Sequence, residues 1–451
     1  MKYENFKYVY FIGIGGIGMS ALARYFNSKG YLVSGYDRCP SDITDALAKE
    51  GIAVHFEADL KAIPPYDQCL VIYTPAIPAD FPELKAVREG GYRLVKRALA
   101  LGEVTKGQRC LAVSGTHGKT TTSTLLAHIL TVAGKGCSAF MGGLSKNYST
   151  NLLIGKEPVI VVEADEFDRS FHQLWPENAI ITSMDADHLD IYGTHANLIE
   201  AFRVFASQVG GAVLVKKGLE DEIRPTAKAK LYTYSLDDSS ADFHASDIEL
   251  REQGRLYFTL NSPYGNVSDC HLGVIGRHNI ENAVAASALA LMEGVGFDKL
   301  KEALASFQGV THRLDLLVSK DDFVYIHDYA HHPVELSRSI QAIREAYPGR
   351  KITAVFQPHL YTRTRDFNDE FASALSQVDS LIMLPIYPAR ELPIPGVCSE
   401  NILEKSQCPE KTMSDKAGVL EAIQKSNPEV LVTFGAGDIS NLTEPIRENY
   451  R

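Results

Sequence analysis

The feature that most constrains this chain is an alternation. Short apolar runs of strand length are each followed by a turn rich in glycine, proline or acidic residues, and then by a helical stretch. The run Tyr8–Ile14 (YVYFIGI) leads through a glycine loop into a helix over Met19–Ser28, and Tyr31–Tyr36 is the next strand, ending at Asp37. Leu70–Tyr73 follows, with the proline-punctuated Thr74–Pro78 behind it. This alternation predicts βα units on largely parallel sheets. It restarts twice. The basic, glycine-bearing stretch Thr105–Arg109 precedes a strand at Cys110–Ser114, a loop at Gly115–Gly118 and a helix at Thr120–Ala133, with further buried strands at Val159–Val162 and Ala179–Thr182. From Asp237 to Cys270 the runs shorten around an Asn-Ser-Pro-Tyr-Gly turn, predicting a small antiparallel excursion, and an alanine-rich helix follows Asn279. A third series begins near Thr311, with strands at Phe323–Ile326, Ile352–Phe356, Ser380–Leu384 and Val430–Phe434. The expected fold class is therefore α/β in three consecutive domains, 1–107, 108–311 and 312–451, the second the largest. A length of 451 residues agrees, at roughly 150 residues per domain.

Composition narrows the function classes. The formal charge of −11, without long basic runs, disfavours a protein that coats nucleic acid, because Lys and Arg facing phosphates dominate that affinity. No apolar stretch is long enough to span a bilayer, and the start, MKYENFK, lacks the apolar core and cleavage site of a secretion signal. The 7 cysteines are odd in number, scattered and free of CxxC spacing, which argues against a disulfide framework and a structural zinc site. The expectation is a cytoplasmic α/β protein.

Two glycine loops carry the first chemistry. Gly13-Ile-Gly15-Gly16-Ile17-Gly18 fits G-x-G-x-x-G between a strand and a helix. Its glycines allow close backbone approach, and the helix N-terminus offers free N–H groups to a diphosphate. Asp37 stands near the position where an acidic residue meets a ribose. A dinucleotide such as NAD and a diphosphate sugar both satisfy this loop. Gly115-Thr116-His117-Gly118-Lys119-Thr120 is more specific. Val113 occupies the first glycine position of a full P-loop, but the backbone turn, the Lys and the Mg²⁺-binding hydroxyl remain. Two phosphate loops on separate domains suit an enzyme that holds two different phosphorylated molecules.

Acidic and histidine clusters follow the strands. Glu163-Ala-Asp165-Glu166 comes directly after PVIVV, and Asp185-Ala-Asp187-His188-Leu-Asp190 follows the next strand. Carboxylates at strand ends beside a P-loop supply oxygen ligands to Mg²⁺. In the third domain His327-Asp328-Tyr329-Ala-His331-His332 is expected to follow its strand and touch substrate rather than zinc, since no second ligand cluster has tetrahedral spacing. Arg313, Arg363 and Arg365 offer cations to a carboxylate or phosphate.

Taken in order, GIGGIGMSALA, SGTHGKTTT, EADE, DADHLDIYGT, GRHNIENAVAA, DYAHHP, FQPHLYTRT, PIYPARE and FGAGDI resemble the Mur ligase family over essentially the whole chain, most closely its alanine-adding branch. The resemblance implies Rossmann-like first and third domains around a central P-loop ATPase domain. It also implies an ATP-dependent ligase of peptidoglycan synthesis, and with that a part in cell-wall biogenesis, cell shape and division. The implied partners are UDP-N-acetylmuramate, L-alanine and ATP, and the implied cofactor is Mg²⁺, as two ions, with Mn²⁺ as a substitute. Monomer and homodimer both remain open.

Residue by residue, the resemblance gives Lys119 the β/γ-phosphates, within a nucleotide loop that runs from Gly115 through Thr116, His117, Gly118 and Thr120 to Thr121. Thr120 and Glu163 match ligands of a first Mg²⁺, and His188 matches the holder of a second. The loop Gly13–Gly18, with Asp37, matches the UDP-sugar site. Asn279 and Asn282 match adenine contacts, Arg313 and Asp328 phosphate and ribose contacts, and Tyr329, His331 and Arg363 the amino-acid and acyl region. The chain departs from its relatives at Ala330, Leu360 and Phe167. Phe202 stands where other branches carry a carbamylated Lys, so none is expected. A peptide-recycling ligase, a dehydrogenase using the first loop and a non-catalytic nucleotide sensor are the competing readings. Ligands divided among domains predict closure of the third domain onto the P-loop.

Overall fold

The protein is described from a computed structural model, which covers residues 3, 5–251, 255–389 and 391–451. Arg390 of the PIYPARE motif lies outside the described residues, as do the side chains of Leu189 and Asp190. The chain forms two compact units. One comprises Met1–Ser246, Leu260–Val267 and Glu281–Leu304; the other comprises Asp247–Thr259, Ser268–Ile280 and Ala305–Arg451.

The first unit holds one sheet whole and most of a second. The N-terminal sheet is five-stranded and parallel, in the spatial order Ala53–His55, Leu32–Tyr36, Tyr8–Ile12, Cys69–Tyr73, Arg93–Lys96. The order reverses at Tyr8–Ile12, and ligand crevices form outside the carboxyl ends of strands at such a reversal. The strand stops at Ile12, two residues earlier than expected, because Gly13 turns the chain at φ 90°. The central sheet runs Thr150–Leu153, Ser138–Ser145, Val159–Glu163, Arg109–Ser114, Asn178–Ile181, Ala212–Lys216, Lys230–Ser235, and then Phe243–Leu250, Leu256–Asn261 and Val267–His271. The P-loop strand Arg109–Ser114 thus lies between the two strands that end in acidic clusters. The last three strands form the expected excursion, and connections this short force hairpins. Its first strand nevertheless joins Lys230–Ser235 in parallel.

One apolar core serves both sheets. Leu22, Phe26 and Ile72 belong to the same buried cluster as Phe140, Ile160 and Phe202. Tyr25 on the first glycine-loop helix, Ile17–Ser28, meets Phe140 of the central sheet with ring centroids 5.4 Å apart. The N-terminal sheet and the P-loop part of the central sheet are therefore packed as one body.

The second unit is built on a six-stranded sheet, ordered Asp315–Ser319, Val324–Asp328, Val430–Phe434, Ile352–Phe356, Ser380–Met383, Glu410–Met413. The pairings are parallel except that of Asp315–Ser319, and each face of the sheet carries its own core. One expectation is corrected here. His327 and Asp328 do not follow their strand but lie in it, fully or nearly fully buried. Side-chain hydrogen bonds hold them there: His327 Nδ1 meets Thr433 Oγ1 at 2.8 Å, and Asp328 accepts from Ser339 Oγ at 2.5 Å.

Position 202 is a core position. The Phe202 ring is wholly buried and stands edge-on to Phe171 at 5.3 Å, with Phe205 stacked on the other ring at 5.0 Å. Phe202→Ala is expected to cost about 3–5 kcal/mol, measured as a fall in the guanidinium unfolding midpoint without a change of slope.

Candidate active site

The P-loop begins where Arg109–Ser114 leaves the sheet. Gly115 turns at φ 127° and Gly118 at φ 82°, conformations that favour glycine. Gly115 is also hemmed in, because a Cβ there would fall 2.1 Å from Thr182 Oγ1 and 2.7 Å from Ser183 N. Those two residues directly follow the neighbouring strand Asn178–Ile181 and hold the loop in shape. Thr182 Oγ1 donates to His117 O at 2.5 Å, Ser183 Oγ accepts the His117 N–H at 2.9 Å, and the Thr116 N–H reaches Ser183 O at 3.1 Å. The helix Lys119–Val132 then starts with no acidic residue in its first turn, so its N–H groups and dipole are left to an anion.

Lys119 folds back over the loop. Its Nζ donates to Gly115 O at 2.6 Å and to Glu166 Oε1 at 2.8 Å. Burial pulls the ammonium toward neutrality, but the carboxylates of Glu166, Asp165 and Glu163 outweigh it and hold the pKa above the ordinary lysine value. Burial pushes the Glu166 carboxyl up against the pull of Lys119. Glu166 is wholly buried, and its main chain is tied down by Tyr192, whose hydroxyl donates to Glu166 O at 2.6 Å. His188 takes a left-handed backbone, φ 53°, that brings Nε2 to 3.8 Å from Glu166 Oε1, with Phe167 edge-on to its ring at 5.2 Å.

Glu163 is set by strand register. It pairs with Val113, so its carboxylate emerges beside the start of the P-loop. Gly142 on the next strand makes room for it, since a Cβ there would lie 2.2 Å from Glu163 Oε2. Thr120, nearly buried, opens the facing helix. A carboxylate and a hydroxyl are the hard oxygen donors that Mg²⁺ takes. Among the described residues no group of three His, Cys, Asp or Glu encloses a metal, so an ion held here would complete its shell with water and phosphate oxygens.

The first glycine loop is shaped by Asp37, whose Oδ2 accepts the Gly15 N–H at 2.7 Å. A Cβ on Gly15 would lie 2.9 Å from that oxygen, and one on Gly18 would lie 2.6 Å from Arg97 Nη1. Gly16 caps the helix Ile17–Ser28, which also lacks acid in its first turn. Arg97 reaches on to Asp165 at 3.1 Å, and Lys96 to Asp168 at 3.2 Å.

Asn282, in the same unit, lies against the P-loop: its Oδ1 would be 2.7 Å from a Cβ on Gly118. Asn279 belongs to the other unit, where it is buried and donates to Ile275 O at 2.7 Å.

That second unit gathers the remaining candidates. The Arg313 guanidinium lies over the Tyr329 ring at 5.0 Å, Tyr329 stands edge-on to His331 at 5.5 Å, and His331 is edge-on to His359 at 5.8 Å. Arg363 Nη1 approaches His359 Nδ1 at 3.5 Å. Burial pulls the His331 pKa down to about 4, against the opposing charge of Glu335, so the ring is neutral at pH 7. His332 does not join the cluster; it caps the helix Pro333–Ala346. Leu360, at φ 73°, precedes the helix Tyr361–Asp366 that carries Arg363.

Sequence reasoning missed Thr182, Ser183, Arg97 and the role of Glu166. Glu166 had a signal, since it closes the EADE cluster. Arg97 had none, because a lone Arg after a lysine reads as surface.

Asp328 makes one pH effect testable. Burial raises its pKa from 3.8 to about 6, although the Ser339 bond and Arg313 oppose the shift. The folded state thus holds a proton that the unfolded chain releases, so this group's contribution to stability falls as pH rises from about 4 to 6 and is level above. Asp328→Asn is expected to abolish that decline, which amounts to at most about 3 kcal/mol, as read from unfolding midpoints at the two ends of the window.

Residues 8–109 match "Mur ligase family, catalytic domain", residues 113–290 "Mur ligase middle domain", and residues 312–437 "Mur ligase, glutamate ligase domain". A UDP-N-acetylmuramate–L-alanine ligase of Porphyromonas gingivalis is 52% identical, with 98% of each chain covered. One of Christiangramia forsetii is 45% identical over 99% of this chain and 98% of its own. Among solved structures, the UDP-N-acetylmuramate–alanine ligase of Thermotoga maritima superposes with a TM-score of 0.84 at 28% identity, covering 98% of both chains. With three domain matches in chain order and full-length identity of this size, the chain belongs to the Mur ligase family.

Proposed function

We propose that the protein joins L-alanine to the lactyl carboxylate of UDP-N-acetylmuramate with conversion of ATP to ADP and phosphate, as a cytoplasmic step of peptidoglycan precursor synthesis. The observation that carries this reading is the pairing of two glycine loops, each opening an acid-free helix N-terminus, on two sheets that share one core. Full-length relatives that bear this activity in their names support the choice of substrates. The domain boundaries that go with it lie near 107 and 311.

In this reading the sugar nucleotide occupies Gly13–Gly18, with Ile17 at the helix start and Asp37 bracing the loop. The triphosphate occupies Gly115–Thr121. The lactyl carboxylate oxygen attacks the γ-phosphorus, the bond to the β,γ-bridging oxygen breaks, and ADP leaves an acyl phosphate. The alanine amine then attacks the acyl carbon through a tetrahedral intermediate, and phosphate departs. Carboxylate and triphosphate repel one another, so fixed positive charge is the requirement. Lys119 supplies it from the loop, and the Gly118–Thr121 backbone supplies N–H donors. Bound Mg²⁺ would neutralise phosphate charge and would be held by Thr120 and Glu163; His188 is assigned to a second ion, and Mn²⁺ is the expected substitute. Asn279 and Asn282 are assigned to adenine, and Arg313 and Asp328 to phosphate and ribose. Tyr329, the neutral His331 and Arg363 are assigned to the amino acid and acyl group.

A coupled assay of ADP release tests the whole reading. L-alanine with UDP-N-acetylmuramate should drive turnover; turnover with a cell-wall tripeptide but not with alanine would overturn it. Lys119→Ala should lower turnover at least about a hundredfold while calorimetric binding of the UDP-sugar survives. Chelation of divalent cations should stop ADP release and added Mg²⁺ restore it. Glu163→Gln should raise the Mg²⁺ concentration needed for half-maximal rate.

A further inference from the structure

Asn151 is a fully buried amide on the strand Thr150–Leu153 at the edge of the central sheet. All of its polar atoms are spent on the helix that opens at the first glycine loop. Its Nδ2 donates to Ile17 O at 2.6 Å and to Ser20 Oγ at 2.9 Å, and its Oδ1 accepts from Arg24 Nη1 at 2.5 Å. Arg24 is itself held by Glu50, whose two carboxylate oxygens accept from Nε at 2.9 and 2.8 Å. Ile17 and Ser20 form the first turn of that helix, directly after the glycines that are assigned the sugar diphosphate.

Other polar ties between the two domains are weaker in kind. Lys96–Asp168 and Arg97–Asp165 are partly exposed, with side-chain exposures of 52% and 39%, and of 25% and 31%, and surface ion pairs contribute little. The aromatic contact of Tyr25 with Phe140 engages the helix beyond its first turn. Among the described residues, the Asn151 amide is the buried polar tie that fixes the helix start in both distance and direction, since a buried amide left unbonded is penalised.

We propose that Asn151 is a positioning residue of the ligation: it pins the first glycine loop to the P-loop sheet and so sets the separation between the sugar-nucleotide carboxylate and the triphosphate. It touches neither reactant. This rests on the assignment of the two loops to the two nucleotides. Its consequence is a split between rate and affinity. Each loop remains intact within its own domain when Asn151 is lost, so each nucleotide still binds, but the reacting atoms lose alignment, to which rate is far more sensitive than affinity.

The test measures kcat for alanine-dependent ADP release together with separate dissociation constants for UDP-N-acetylmuramate and a non-hydrolysable ATP analogue. For Asn151→Ala, kcat should fall about tenfold, with both dissociation constants within about twofold of wild type. Ser20→Ala removes a single partner and should show the same split in smaller measure, and it carries the test should Asn151→Ala fail to fold. A kcat within twofold of wild type, or affinities lost in parallel with kcat as the melting temperature drops, would overturn the positioning role. Wild-type protein that binds neither nucleotide would overturn the functional reading beneath it, a result distinct from either.

Discussion

The constraint on which the structure turns is electrostatic: a chain of net charge −11 has to hold anions against its own field. The solution is local. Lys119 sits among three carboxylates that keep it charged, in contact with the loop carbonyl of Gly115 and the buried Glu166. Two helices without acidic first turns point their N–H groups at the two loops. A triphosphate entering the P-loop would compete with Glu166 for Lys119, so the pair keeps the ammonium ready without committing it elsewhere. Overall charge helped exclude a class of function, but it carries no information about these sites.

The two glycine loops are not on independent bodies. The shared core, the Tyr25–Phe140 contact and the Asn151 amide join the N-terminal sheet and the P-loop part of the central sheet in one unit. For a reaction between groups on two bound molecules this has a direct physical advantage, because the alignment of donor and acceptor is set at folding and not recovered at each encounter. The third-domain candidates form a cluster of their own, built from rings stacked edge to face and from two arginines.

Much of the architecture was legible because buried parallel strands read as continuous apolar runs. Tyr8–Ile12, Cys69–Tyr73, Arg109–Ser114, Ile352–Phe356 and Val430–Phe434 all came from that signal. Four of the strands that went unread share a cause. Ala53–His55, Arg93–Lys96, Asp315–Ser319 and Glu410–Met413 all lie at sheet edges, where short, charged strands are favoured because they discourage further pairing; Ser138–Ser145, Ala212–Lys216 and Lys230–Ser235 also went unread, although they lie inside the central sheet. His327 and Asp328 were expected in a loop for a related reason: polar residues at the end of an apolar run look exposed until their partners, Thr433 and Ser339, are known.

By itself the sequence determined the local chemistry: which strands feed glycine loops, which helix starts are free of acid, and which residue types gather in the P-loop and the EADE cluster. Those features depend on neighbours a few positions apart, and motif order alone pointed to the family. Only the tertiary structure decided that Glu166 and not solvent faces Lys119, that Thr182 and Ser183 mould the P-loop, and that Asn151 reaches across 134 residues of chain to fix the other loop. Such contacts arise from the register of strands remote in sequence, and a side chain's partner across a sheet leaves no trace in the residues beside it.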